Sequence, residues 1–121
     1  MISKLVGLLM HSRNQTHIFH LQTSSYAKHK ALQGYYEGII PLVDSLVESY
    51  QGREGILQNI EVPPSIPNMI AGDNPQVYLK EVLNFVESNR SKMPQYSDLQ
   101  NIYDEIIALL TKTIYLLTQL S

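Results

Sequence analysis

The chain has 121 residues, with nine Lys and Arg against eleven Asp and Glu and a formal net charge of −2. That length supports one domain around a single core, and a near-balanced charge without a dense Lys/Arg cluster argues against nucleic acid as a partner. Cysteine is absent, which removes disulfides and thiolate metal sites together and fits a reducing cytoplasm.

The opening MISKLVGLLMHSR carries an apolar run too short for a signal peptide. The polar stretch HSRNQTH stands where small cleavage-site residues would be needed. No segment approaches the ~20 apolar residues of a membrane span. The expectation is a soluble, cytoplasmic protein with no membrane association, folded as one domain over residues 1–121.

Apolar residues recur at helical spacing almost throughout. A first helix is predicted from about Ser3 to Leu21, with Ile2, Val6 and Leu9 on one stripe that continues past Arg13 to His17 and His20. QTSS interrupts the pattern, and Ser24 or Ser25 can cap the next helix. That second helix is predicted from Tyr26 to Gln51, ending at Gly52. Pro41 lies inside it and predicts a kink, because it lacks an N–H and crowds the carbonyl of Glu37. Residues 53–72 form one long connection, with a short helix expected around EGILQNI and none across the prolines of EVPPSIP. The third helix begins with Asn74 as cap and Pro75 in the first turn, and runs to about Asn89. The fourth runs from Ser97, with a capping box to Gln100, to Leu120. Its wide apolar arc suits a helix central to a bundle. Two short turns and one long connection define an all-α fold, a four-helix bundle.

One stripe of the second helix carries His29, Gln33, Tyr36, Glu37, Ile40, Asp44, Val47 and Glu48. Each residue alone reads as ordinary decoration of an exposed helix. Together, imidazoles and carboxylates form the donor set that suits Fe, Mn or Zn. The common di-iron arrangement needs Glu-x-x-His on two helices. No Glu here is followed by His three positions later, so an intrachain site of that type is excluded. His29 and Asp44 are also separated by roughly 22 Å along one helix, at 1.5 Å per residue. Ligands sit only about 2.0–2.2 Å from a zinc-like ion, so the two ends of the helix cannot share one metal. A second copy running antiparallel, with a twofold axis near Tyr36 and Glu37, would bring the Asp44/Glu48 end of one chain to the His29 end of the other. Twofold dimers are the commonest oligomers. His17 could join His29 across the short turn. His11 lies off this face and reads as structural or exposed.

The spacing His17-x11-His29-x14-Asp44-x3-Glu48 resembles the ferroxidase-centre motif of the Dps-like mini-ferritins, a branch of the ferritin-like superfamily. Short phage-encoded and uncharacterised ferritin-like proteins also look like this chain. The resemblance runs from about Thr16 to Gly52 and is only architectural elsewhere. It implies a ferritin-like bundle with His17 and His29 as metal ligands from one subunit and Asp44 and Glu48 from its partner. It also implies iron (Fe2+/Fe3+) as the bound ion, Fe(II) oxidation or storage as the activity, and a homodimer that can close into a larger shell. The ligands are the only catalytic residues it implies. Two departures stand out. Gln33 occupies the place of a family carboxylate, for which Glu37 on the same stripe is a candidate substitute. Ile18 and Phe19 replace the tryptophan and asparagine that follow the first histidine, and His20 is a candidate extra nitrogen. No Lys-rich tail is present, so DNA coating is not implied. The alternative reading is a helical structural or interaction protein, either metal-free or stapled by Zn or Mn.

Overall fold

The computed structural model describes residues 1–63 and 74–119, and within them the apolar periodicity is realised as four α-helices with no strand. These are α1 (Ile2–Gln22), α2 (Tyr26–Glu54), α3 (Pro75–Ser88) and α4 (Ser97–Gln119), with a 3₁₀ turn at Arg90–Lys92 between the last two. The protein is an all-α four-helix bundle with one long connection.

The helix starts follow their capping chemistry. The Ser25 side chain accepts from the Lys28 N–H, and Asn74 accepts from Gln76 ahead of Pro75 in the first turn of α3. Each cap satisfies a donor that would otherwise lack an intrahelical acceptor. Pro41 is accommodated within a continuous α2.

Three local expectations are corrected. α2 does not stop at Gly52 but continues through it to Glu54, and Gly55, at φ 91°, terminates it. Only glycine enters that left-handed region without steric cost. The helix expected at EGILQNI does not form. Glu54 ends α2, Leu57 N–H turns back to the Gln51 side chain, and Glu61 N–H donates to the carbonyl of Ser3. The Ser97/Gln100 capping box is replaced as well. Gln100 N–H bonds to the Tyr96 carbonyl, while the Gln100 side chain accepts from Arg90 and donates to the Pro94 carbonyl. Four residues of EVPPSIP, 64–67, lie outside the described residues.

Pairwise contacts fix the directions of the helices. His20, at the end of α1, bonds to His29, near the start of α2. Tyr78, in the first turn of α3, bonds to His11 and packs edge-on to Phe19 of α1. Tyr103 of α4 donates to the Val86 carbonyl near the end of α3, and Arg53 at the end of α2 pairs with Asp98 at the start of α4. α1 is thus antiparallel to α2 and α3, which run parallel to each other, and α4 is parallel to α1. The α2–α3 connection leaves beside Ser3–Gly7, at the opposite end of the bundle from the start of α3. There Gly7 admits the backbone of Glu61, since a Cβ would stand 1.9 Å from its carbonyl oxygen.

The core is aliphatic and aromatic, with Leu5, Leu9, Phe19, Leu32, Ile39, Leu46, Leu79, Ile106 and Leu110 essentially without solvent contact. Full burial of such a side chain contributes about 1.5–3 kcal/mol. One polar layer crosses it. Ser12 bonds to the hydroxyl of the fully buried Tyr35 at 2.7 Å, and His11 Nδ1 lies 2.6 Å from the Tyr78 hydroxyl. Burial pushes both phenols well above their ordinary pKa and keeps them neutral. His11 is therefore buried and structural.

Candidate functional site at the α1–α2 end

The turn joining α1 to α2 gathers three of the four histidines. The rings of His20 and His29 stack with centroids 3.5 Å apart and planes 22° from parallel. Each ring also bonds to the other residue's backbone: His20 Nδ1 lies 2.7 Å from the His29 carbonyl, and His29 Nδ1 lies 2.8 Å from that of His20. A carbonyl only accepts, so both Nδ1 atoms must carry the proton. In the neutral ring this leaves Nε2 as the atom with a lone pair. Metal-bound histidines commonly have this arrangement, in which a backbone carbonyl holds one ring nitrogen and orients the other.

His17 is placed differently. Its ring stacks on Tyr36 at 4.4 Å and lies 6.0 Å from that of His20. Arg13, one turn earlier, brings Nη1 to 3.2 Å from His17 Nδ1 and its guanidinium to 5.4 Å from the centre of the Tyr36 ring. Arginine can only donate, so Nδ1 accepts and Nε2 carries the proton. Partial burial, then the Arg13 charge, then His20, hold the His17 pKa below the usual imidazole value. To use Nδ1 as a ligand, His17 must release Arg13. To use Nε2, it must change tautomer.

The carboxylates lie elsewhere. Asp44 and Glu48 are exposed on α2, toward the opposite end of the bundle. Gln33 donates to Glu37 at 2.9 Å across one exposed turn, so these two candidates bind each other. Among the described residues of one chain, no three His, Asp or Glu side chains converge to hold a metal ion. His29 therefore meets His20 across the turn, while His17 meets Tyr36, and Asp44 and Glu48 join neither. The turn explains the first pairing: His20 and His29 stand nearly equidistant from its centre, whereas His17 is one turn further away. Arg13 and Tyr36 are the participants that metal-ligand spacing could not reveal.

A groove between the helices continues this surface. Leu9, Met10, Ile39, Ile40 and Val43 line it, with Arg13 and Asn14 on its α1 side and Asp44 on its α2 side. Met10 and Ile40 are 38% and 42% exposed.

These features define a four-helix protein with a histidine cluster at one end of its α1–α2 face and two carboxylates toward the other. The chain belongs to the family described as "Family of unknown function (DUF5856)", which it matches over residues 20–117. That span includes His20, His29, Asp44 and Glu48 and begins after His17. The chain is similar to an uncharacterized 14.6 kDa protein of the mobD-ri intergenic region of Enterobacteria phage T4. The two are 30% identical over 116 residues, covering 93% of this chain and 84% of the relative. No solved structure matches it. No described helix is long and apolar enough to cross a membrane.

Proposed function

We propose that this protein is a ferritin-like iron-binding protein whose metal sites form between two copies. Histidines at the α1–α2 turn of one copy would meet Asp44 and Glu48 of the other. The observation that carries this reading is the reciprocal bonding of His20 and His29, which leaves two Nε2 atoms suited to a metal. A lone pair lies in its ring plane, so an ion in the plane of one stacked ring stands outside the plane of the other. Each ring thus offers one ligand to one ion unless it rotates. Imidazole completed by carboxylates suits Fe, with Mn or Zn as the alternatives, and oxidation of Fe(II) by O2 or H2O2 is the proposed activity. The single long crossover is also the connectivity of ferritin-like folds, which bears on fold and not on chemistry.

Anaerobic titration of the chelator-stripped protein with Fe(II), followed by admission of air, tests the proposal. Iron should stay with the protein on gel filtration, and ferric absorbance should rise faster than in buffer alone. His20→Ala, His29→Ala and Asp44→Asn should each weaken both readouts. Wild-type protein that retains no Fe(II), Mn(II) or Zn(II) would refute it.

One observation favours a second reading. The same His20/His29 bonds already clasp the α1–α2 turn, and His17 is engaged by Arg13 and Tyr36, so the cluster is satisfied without metal. In a metal-free structural or interaction module, the histidine substitutions would lower stability and leave metal content at zero.

A further inference from the structure

The α1–α2 face carries a charge pattern that is its own complement under twofold rotation. Because α1 and α2 are antiparallel and His20 stands opposite His29, the level of Ile40 on α2 is that of Leu9 and Met10 on α1. Counting outward from this level, Arg13 and His17 follow at one and two turns in one direction, and Asp44 and Glu48 at one and two turns in the other. Each pair spans four residues, or ~6 Å at the helical rise. Rotation about an axis through the exposed Met10 and Ile40 lays the Arg13 cation and the neutral His17 of one copy over Asp44 and Glu48 of the other.

We infer that this face binds a second copy of the chain, with Arg13 of each copy paired to Asp44 of the other and Met10 and Ile40 packed around the axis. The inference shares with the proposed function only that two copies pair through the α1–α2 face; its axis lies at Met10 and Ile40, about one turn along α2 from Tyr36 and Glu37, and it needs no metal. It also gives Asp44 an ionic partner other than iron. Arg13 touches Asn14, His17 and Tyr36, and neither Arg13 nor Asp44 takes part in an ion pair among the described residues. The centre is apolar and the flanks are oppositely charged, so the pairing sets register and rejects displaced alignments. The His17–Glu48 rung lies one turn further out.

The test uses the full chain in EDTA, with sedimentation velocity at micromolar concentration. Wild type should be a dimer. Arg13→Glu places two acid–acid contacts in its homodimer, and Asp44→Arg places two base–base contacts, so each should raise the dimer dissociation constant at least tenfold. An equimolar mixture of the two variants should restore dimers, because in the heterodimer both rungs again join opposite charges. Helical circular dichroism checks that the variants fold. If either does not, Ile40→Arg, at a site already open to solvent, should separate the copies by placing two cations at the axis. A wild-type monomer, charge reversals that dimerise as wild type does, or a mixture that recovers nothing would each overturn the inference. The two proposals can fail separately. A metal-free dimer that responds to charge reversal but takes no iron sinks only the iron reading. A protein that takes iron but ignores charge reversal sinks only this one.

Discussion

Gly7→Ala should destabilise the protein, although alanine is the better helix former. Gly7 lies inside α1, and an added Cβ would stand 1.9 Å from the Glu61 carbonyl oxygen and 2.9 Å from the Val62 nitrogen. Both are backbone atoms, so no rotamer change relieves the overlap, and the connecting segment must retreat by more than about 1 Å. That retreat breaks the bond from Glu61 N–H to the Ser3 carbonyl at 3.2 Å and strains the one from Ser3 Oγ to Glu61 at 3.0 Å. Lost hydrogen bonds cost about 0.5–1.5 kcal/mol each, and overpacking about 1–3 kcal/mol, against a propensity gain of about 1 kcal/mol. The expected net loss is about 0.5–3.5 kcal/mol, centred near 2 kcal/mol, with Tm falling by roughly 3–6 °C per kcal/mol for a chain of this size. Gly34, in α2, is the control, since nothing lies within 4 Å of its added Cβ. Gly34→Ala should stabilise by up to about 1 kcal/mol. Urea denaturation of both variants measures the contrast. Equal stabilisation by the two would show that the segment does not rest on α1 as described.

Three further outcomes are expected. Ser12→Ala should cost about 1–3 kcal/mol by leaving the Tyr35 hydroxyl buried without its partner. Tyr35→Phe should cost less, because Ser12 Oγ keeps its bond to the Leu9 carbonyl, and the double variant should fall short of the sum in a denaturation cycle. His17 has a folded-state pKa below its unfolded value, so the unfolded chain binds the extra proton between the two. Its contribution is then complete above the ordinary imidazole pKa of about 6.5 and declines as pH falls below it, and urea midpoints between pH 8 and 5 should fall more steeply for wild type than for His17→Asn. Ser25→Ala removes the acceptor for Lys28 N–H and should cost about 1 kcal/mol by thermal melting.

The bundle was legible because its signals are local. Apolar spacing marked all four helices, and Asn74–Pro75 and Ser25 marked two of their starts. The end of α2 was harder to read, since Gly52 and Gly55 are both plausible stops and only the second adopts positive φ. The site was legible in part. Residue spacing along α2 placed His29 and Asp44 too far apart to share an ion. It could not show that His20, and not His17, stacks on His29, because that depends on how the turn aligns the two helices. Nor could a search for ligands reveal Arg13, which occupies the nitrogen that His17 would offer.

The shared direction of α2 and α3 has a consequence for how the chain folds. α1 with α2, and α3 with α4, are antiparallel hairpins closed by short turns, and such local contacts form early and fast. Joining the hairpins requires the α2–α3 connection to be closed along the bundle, an entropic cost that no contact within either hairpin offsets. Docking of Glu61 over Gly7 lies outside the helix-to-helix contacts of either hairpin and is expected to follow them. Gly7→Ala should therefore leave the refolding rate nearly unchanged and appear almost wholly as faster unfolding. The strap would then act on the lifetime of the native state and not on the speed with which it is reached.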